Sequence, residues 1–262
     1  MTDVMRFLTA VYARLLRLYP PGFRAEFAEE MLAVFSAALE DARAAGAWPA
    51  VRCILRELAA LPASRTAEVL DAIHPVFPQF IDGKNVLQTG LNNMGAIFHP
   101  ALALLNAGWI EATSGDFQFY VDGVTPSVAK VLEVLDRERV TVSSALGLKG
   151  RNALEWLELA YNATGENLYE AMHNQTGYYG IKAPGTLNHR YITEEIPMSL
   201  VPIASFADAY GVSVNGINSI INLACYIHGT DYRRKGRTVE RLGIKELSVG
   251  ELVRFVETGE RD

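Results

Sequence analysis

Apolar residues recur at intervals of three and four along most of the chain, the spacing that places them on one face of a helix. This pattern predicts four short amphipathic helices in the first part of the chain, at about 4–18, 24–45, 50–61 and 64–72. It predicts further helices at about 86–109 (one helix or a broken pair), 125–146, 151–163, 166–174, 197–210, 215–228 and 248–257. Residues 175–194 and 230–243 are interpreted as loops. Because no stretch alternates apolar and polar residues as a half-buried strand does, the sequence predicts an all-α fold.

A cluster of prolines separates two helical regions. In the segment His74-Pro75-Val76-Phe77-Pro78 the helical periodicity stops, and the composition rich in Ala, Arg and Leu ends there as well. Proline lacks the N–H group that continues a helix, so such a cluster is typical of a boundary. We therefore predict a small helical module at 1–72, a linker at 73–80 and a second helical domain at 81–262.

The composition is that of a globular protein, with half of the residues apolar and 21% charged. A net charge of −6 argues against a nucleic-acid partner, because binding phosphates requires a basic surface. Cys53 and Cys225 form no CxxC pair, and no cleavable signal pattern opens the chain, so a cytoplasmic protein is expected. No HExxH motif and no Cys/His cluster with zinc spacing is present, and we predict no metal.

The stretch from Asn85 to Ile110 carries no formal charge and is long enough for a bilayer span of about 20 residues. Its many polar side chains would be costly in lipid, so we predict no membrane span but a buried helix whose polar groups face a site or each other. Asn92, His99 and Asn106 are seven residues apart and so lie along one stripe. Pro100 disfavours regular helix at His99. A polar stripe with a backbone break indicates a functional site, and a satisfied core histidine is the alternative.

Two further clusters carry charge. Arg190 and the acids Glu194 and Glu195 precede an apolar helix. An acid here could orient a histidine for acid/base chemistry, and the arginine could bind a substrate carboxylate through its guanidinium fork. Acids at a helix N-terminus are also favoured by the helix dipole, and spacing alone favours that explanation. The cations within 233–237 suggest an anion contact, although a solvated basic loop is the favoured interpretation.

Ordered sequence pieces between about 75 and 258 point to a known family. They include Asn92-Asn93, Phe98-His99-Pro100, Val124-Thr125-Pro126, His189-Arg190-Tyr191, Glu195-Ile196-Pro197 and Asp231-Tyr232-Arg233 followed by Gly236-Arg237-Thr238. Together they resemble the C-terminal helical domain of the NAD/NADP octopine/nopaline (opine) dehydrogenase family. The resemblance implies an all-α domain like that of opine and 6-phosphogluconate-type dehydrogenases. So many pieces in the same order are far more specific than one short motif.

The resemblance also implies an activity and the residues that carry it. Enzymes of this family join an amino acid to a 2-oxo acid reductively, with NADH or NADPH. The resemblance makes His99 the acid/base group. It makes Glu195 the carboxylate partner of His99, at a position where the family usually has Asp. It makes Arg190 the residue that binds a substrate carboxylate.

The same resemblance adds Asn92, Asn93 and Tyr179 as residues bordering the substrate. Asn92 and Asn93 would border the nicotinamide end of the cleft, and Tyr179 would lie on the face that the family packs against its second domain.

The family's dinucleotide-binding Rossmann domain has no counterpart in these residues, which contain no GxGxxG motif. Residues 1–72 instead resemble the helical module that precedes some bacterial permeases. We therefore expect the chain alone to have little or no dehydrogenase activity, and cofactor-binding residues are not assigned. Two alternatives stay open: a non-enzymatic helical interaction protein, and a half-enzyme completed by a separate Rossmann-domain chain. The face near Asn92, His99 and Tyr179, which the family packs against its second domain, would be covered by 1–72 or used to form a homo-oligomer.

Overall fold

The computed structural model describes residues 80–260 continuously, together with Ala13, Leu32, 69–71 and 74–75. The chain divides into two compact units, 1–82 and 83–262. The helical module predicted at 1–72 lies outside the described residues apart from those few positions, and so does most of the linker predicted at 73–80. The second unit, in contrast, is described almost completely.

In the described range 80–260 the regular secondary structure of the second unit is helical, and loops join the helices. Its α-helices are α1 (Val86–Leu91), α2 (Gly95–Leu105), α3 (Ala107–Thr113), α4 (Pro126–Ala145), α5 (Ala153–Tyr161), α6 (Leu168–Asn174), α7 (Arg190–Thr193), α8 (Val201–Ala209), α9 (Asn215–His228), α10 (Tyr232–Lys235) and α11 (Val249–Thr258). A 3-10 turn spans Thr176–Tyr178, and a π-helical turn at Ile196–Leu200 leads directly into α8. Extended pairing in this range is limited to an isolated bridge between Gln118 and Lys182. The predicted all-α fold is confirmed.

Two predicted helix starts are confirmed in detail. The Thr125 side chain accepts a hydrogen bond from the Val128 N–H, with Pro126 in the first turn of α4. Ser248 and Glu251 form a reciprocal capping box at the start of α11. Both arrangements satisfy N–H groups that have no partner within the helix.

The expectation of a backbone break at His99 is wrong. The uncharged stretch forms three helices, and His99 and Pro100 lie inside α2. The breaks come instead at Asn92–Met94 and at Asn106, where asparagine side chains bond to backbone groups. A proline within a helix removes one N–H donor, and the packing of α2 on all sides holds the helix together there. The interpretation of 175–194 and 230–243 as loops also missed α7 and α10, which are too short to show helical periodicity.

Helix α2 forms the centre of the second unit. Eight of its residues are buried: Ala96, Ile97, Phe98, Pro100, Ala101, Leu102, Ala103 and Leu104. It packs against α4, α7, α9 and the π-helical turn. A helix that is apolar on all sides belongs in a core, and none of the described helices is long and apolar enough to cross a membrane.

A buried ion pair joins α4 to the segments on either side of it. The Arg139 side chain is fully buried and donates to Asp136 Oδ1 at 2.6 Å. It also donates to the carbonyl oxygens of Leu91 and Arg151 at 2.5 Å. The other Asp136 oxygen accepts from the Ala153 N–H at 2.8 Å. The pair therefore ties the end of α1 and the start of α5 to the same point on α4.

Replacing Arg139 with Met should lower the free energy of unfolding by about 3–5 kcal/mol, because the Asp136 carboxylate would stay buried without its partner. Denaturant unfolding measures this loss. Lys182→Met is the matched control, since Lys182 forms an exposed ion pair with Asp116. Equal effects of the two substitutions would show that the buried pair has no special structural role.

Candidate active site

Helix α2 and the segment 190–200 bring together the two residues at the centre of the site. His99 Nδ1 lies 3.1 Å from Glu195 Oε1, although the residues are 96 positions apart in sequence. The two side chains are 25% and 12% exposed. A carboxylate at Nδ1 fixes the tautomer of the ring, and among the described residues no hydrogen bond is made at Nε2. The arrangement therefore offers one ring nitrogen for proton transfer.

The second oxygen of the Glu195 carboxylate is also bound. Ser199 Oγ donates to Glu195 Oε2 at 2.8 Å, and Asn93 Nδ2 lies 3.5 Å from the Ser199 hydroxyl. Gly95 provides the space for this cluster, because a Cβ atom there would lie 3.1 Å from Glu195 Oε1 and from His99 Cε1. Both carboxylate oxygens therefore have defined partners.

Aromatic rings hold the imidazole of His99 from its faces. The Tyr191 ring stacks on it, with centroids 4.2 Å apart and planes at 14°. Tyr120 lies 6.4 Å away in a tilted orientation, and Phe119 stacks on the far side of Tyr191. His189 meets the edge of Tyr191 at 4.4 Å. The ring is thus fixed by stacking as well as by its bond to Glu195.

Burial and charge shift the titration of three groups here. Burial disfavours the charged form of Glu195, but hydrogen bonds from His99 and Ser199 and the charges of His99 and Arg190 outweigh it and lower its pKa. Burial, together with the nearby Arg190 and His99, lowers the pKa of His189. Burial and the neighbouring Tyr191 raise the pKa of Tyr120. At neutral pH the site therefore holds a carboxylate at Glu195, a neutral His189 and a protonated Tyr120 phenol.

Arg190 lies at the start of α7 and is paired within its own segment. Its Nε and Nη2 donate to the two Glu194 oxygens at 3.1 and 3.0 Å. The charges of Arg190 and Glu195 also interact. Both side chains of the Arg190–Glu194 pair are more than half exposed, so solvent and small ligands reach the guanidinium.

The structure gives other contacts to three residues of the predicted polar stripe and face. Asn92 Oδ1 accepts from the Arg151 N–H at 3.1 Å. The Asn106 amide donates to the Leu102 and Gly123 carbonyl oxygens. Tyr179 is exposed, and its hydroxyl donates to the His173 carbonyl oxygen at 3.3 Å. Asn92 and Asn106 therefore brace helix ends, and of the stripe His99 alone is paired with a carboxylate.

The backbone of the basic segment packs against the site, whereas most of its cations are exposed, in agreement with the favoured interpretation of a solvated basic loop. The Arg237 N–H donates to the Pro197 carbonyl oxygen at 3.0 Å. Gly236 sits so close to α8 that a Cβ atom would lie 2.5 Å from Val201 Cγ1. Lys235 lines an open cleft of about 550 Å³ beside residues 193–198. This segment thus supports the π-helical turn that follows Glu195.

Several helix N-termini in the described range are already occupied by protein groups. Thr125, Asn152 and Ser248 cap their own helices, and Asn93 Oδ1 accepts from the first N–H of α2. At the start of α9 the Glu138 carboxylate accepts two backbone N–H groups at 2.8 Å, where it would repel a phosphate. Cofactor phosphates bind at free helix N-termini next to glycine-rich loops. The described range also contains no group of three metal-binding side chains.

Two residues of the site escaped the sequence analysis. Tyr191 and Ser199 lie four residues before and after Glu195, the spacing that places side chains on one face of a helix. The predicted loop over 175–194 concealed that relation, since half of the segment was not expected to be helical.

Comparison with known proteins agrees with this architecture. Residues 82–228, more than half of the chain, match the family described as NAD/NADP octopine/nopaline dehydrogenase, alpha-helical domain. The chain is 35% identical over 201 residues to an opine dehydrogenase of Arthrobacter sp. (strain 1C), covering 77% of this chain and 56% of that protein. It is 25% identical over 188 residues to the protein ocs of Agrobacterium tumefaciens (strain Ach5), covering 71% and 52%. The chain belongs to the octopine/nopaline dehydrogenase family, as the resemblance implied.

Solved structures show the same fold. A structure of octopine dehydrogenase with NADH and agmatine superposes with a TM-score of 0.57 at 21% identity, covering 74% of this chain and 54% of that one. Structures of octopine dehydrogenase with NADH and L-arginine, and with NADH and pyruvate, each give a TM-score of 0.55. The chain spans about half the length of the relatives and structures that it matches.

The lowered pKa of Glu195 predicts a pH-dependent contribution to stability. Because the pKa is lower in the folded state, the contribution is complete above the ordinary glutamate value of 4.5 and is lost as pH falls below it. The wild type should therefore lose more unfolding free energy than Glu195→Gln on acidification through this window. Denaturant unfolding at several pH values measures the difference. Glu194→Gln, which removes an exposed carboxylate, should keep the wild-type slope. Identical slopes for wild type and Glu195→Gln would contradict the assignment.

Proposed function

We propose that the unit 83–262 supplies the acid/base group and a carboxylate-binding residue for an opine dehydrogenase reaction. In this reaction the amine of an amino acid condenses reductively with a 2-oxo acid. The observation that carries the proposal is the pairing of His99 with Glu195 in a chain of this family. The exposed Arg190 lies five positions before Glu195. NADH or NADPH, held by a dinucleotide-binding domain outside these 262 residues, would supply the hydride.

The geometry suggests how His99 would act. With its Nδ1 proton directed at Glu195, a protonated ring can donate from Nε2 to the oxygen of the oxo group while the amine attacks the carbon. The oxygen then leaves as water after a second proton arrives, and the amine nitrogen loses its own protons as the C=N bond forms. Glu195 keeps its negative charge and stabilises the protonated imidazole throughout. The acid and the base are thus the same ring at different steps.

Arg190 would orient the oxo acid through its carboxylate. A guanidinium binds a carboxylate through two parallel hydrogen bonds, which fixes position as well as charge. The Glu194 carboxylate already occupies Nε and Nη2 in this way. A substrate carboxylate would therefore have to displace Glu194 or share the guanidinium with it.

The requirement for a second domain follows from the same structure. Hydride transfer needs the nicotinamide to be held against the substrate, and protein groups already occupy the N-termini of α4, α5, α9 and α11, where cofactor phosphates could otherwise bind. We infer that these residues work together with a cytoplasmic dinucleotide-binding domain that holds the cofactor. A purely non-enzymatic interaction role would not explain the pairing of His99 with Glu195.

Oxidation of NADH or NADPH in the presence of an amino acid and pyruvate tests this function. The pure chain should show no turnover, and turnover should appear when the dinucleotide-binding domain of the Arthrobacter relative is added. His99→Gln should then lower the rate about 100-fold or more. His173→Gln is the control, because the His173 side chain bonds to the Tyr169 carbonyl oxygen of its own helix. Turnover by the pure chain would disprove the need for a second domain, and equal rates for the two variants would disprove the role of His99.

Binding of pyruvate to the chain, followed by NMR, tests the role of Arg190 without any turnover. Arg190→Ala should abolish binding. Glu194→Gln should strengthen it about two- to fivefold, because an exposed ion pair is weak and its loss frees the guanidinium. Asp116→Asn, which neutralises the acid of another exposed pair, should have no effect. Unchanged binding in Arg190→Ala would remove that residue from the site.

A further inference from the structure

We propose that Ser199 is a positioning residue that holds the Glu195 carboxylate so that one defined oxygen faces His99. This inference rests on the proposed function of the His99–Glu195 pair, but it makes a separate claim about how the pair is kept in register. Among the residues proposed to bind substrate, Asn93 approaches the Ser199 hydroxyl at 3.5 Å. Within the described residues, Ser199 makes no hydrogen bond to the His99 ring.

The hydrogen bonds give each carboxylate oxygen a different task. Oε1 lies 3.1 Å from His99 Nδ1 and Oε2 lies 2.8 Å from Ser199 Oγ. Because the carboxylate has no proton of its own, the Ser199 hydroxyl must donate in this bond. Asn93 Nδ2, at 3.5 Å, approaches the same hydroxyl as a donor, which favours that orientation of its proton. Rotation of the carboxylate would break both bonds at once.

A glutamate needs such a restraint more than an aspartate would. Glu195 has one more rotatable bond between the backbone and the carboxylate than an aspartate side chain has. Each freely rotating bond must be fixed before a side chain can hold an imidazole in place, at a cost in entropy. Gly95 leaves just enough room for the carboxylate on one side, since a Cβ atom there would lie 3.1 Å from Oε1. Ser199 holds it on the other.

The backbone under Ser199 is itself restrained. Ser199 lies in the π-helical turn Ile196–Leu200, and Pro202, just beyond it, has no N–H group to bond back into the turn. The Pro197 carbonyl oxygen accepts instead from the Arg237 N–H at 3.0 Å. Gly236 allows this close approach. The basic segment thereby holds the turn in the conformation that places Ser199 and Glu195 on the same face, as a preorganised site requires.

A titration of the Glu195 carboxyl carbon by NMR, in the full chain labelled with carbon-13 glutamate, tests the proposal. Glu195→Gln identifies the signal. Ser199→Ala should raise the pKa of Glu195, because the carboxylate loses a donor that stabilises its charged form. Ser199→Thr, which keeps the hydroxyl, should restore the wild-type value. Ser219→Ala is the matched control, since the exposed Ser219 hydroxyl bonds only to the Asn215 carbonyl oxygen of its own helix.

An unchanged Glu195 pKa in Ser199→Ala would overturn the proposal, and so would a shift of equal size in Ser219→Ala. If Ser199→Ala does not fold, Ser199→Cys gives the same test, because a thiol of similar size is a weak donor. A folded cysteine variant with the wild-type Glu195 pKa would overturn the proposal equally.

Kinetics separates this inference from the proposed function. In the assembly with a dinucleotide-binding domain, Ser199→Ala should lower turnover roughly tenfold through misplacement of the ring. It should also move the acidic limb of the pH–rate profile upward, with KM for the oxo acid unchanged. A lower rate with an unmoved limb would show a merely structural role and overturn the proposal. Absence of turnover in every variant would contradict the proposed function, while the NMR titration would still decide the role of Ser199.

Discussion

The buried guanidinium of Arg139 is the point from which the site takes its geometry. It binds the last carbonyl of α1 and the Arg151 carbonyl, and its partner Asp136 binds the start of α5. The Arg151 N–H in turn fixes Asn92 in the break between α1 and α2. An uncompensated charge at this depth would cost several kcal/mol, so these contacts hold or fail together. The ion pair therefore helps to place the start of α2, the helix that carries His99.

A second constraint comes from the segment 190–200, which changes helical type within a few residues. Helix α7 ends at Thr193, the π-helical turn follows at Ile196–Leu200, and α8 begins at once. The wider turn leaves Glu195 and Ser199 facing α2 while Arg190 stays exposed beside Glu194. One short segment therefore presents a buried acid to the imidazole and a solvent-accessible cation to a ligand. π-helical turns of this kind occur frequently at functional sites, where they redirect side chains without ending the helix.

Much of the fold could be predicted from periodicity and capping residues, as α4 and α11 show. The pairing of His99 with Glu195 could be anticipated from family resemblance but not from spacing, since a contact across 96 positions leaves no local pattern. For the polar stripe, spacing predicted the positions of the residues but not their bonding partners. Asn92 and Asn106 do follow the heptad spacing, yet each terminates a helix and bonds to the backbone. Ser199 and Tyr191 required the backbone of a segment whose helices are too short to be periodic.

The charge around the site bears on the kind of ligand it accepts. Glu194 and Glu195 together outweigh Arg190, so an anionic oxo acid would approach an unfavourable field unless the imidazole is protonated. At the exposed edge of the site, the Glu194 carboxylate balances the charge of the Arg190 guanidinium. Under the proposed function, the same charges would favour an anion whose carboxylate can replace Glu194 on the guanidinium.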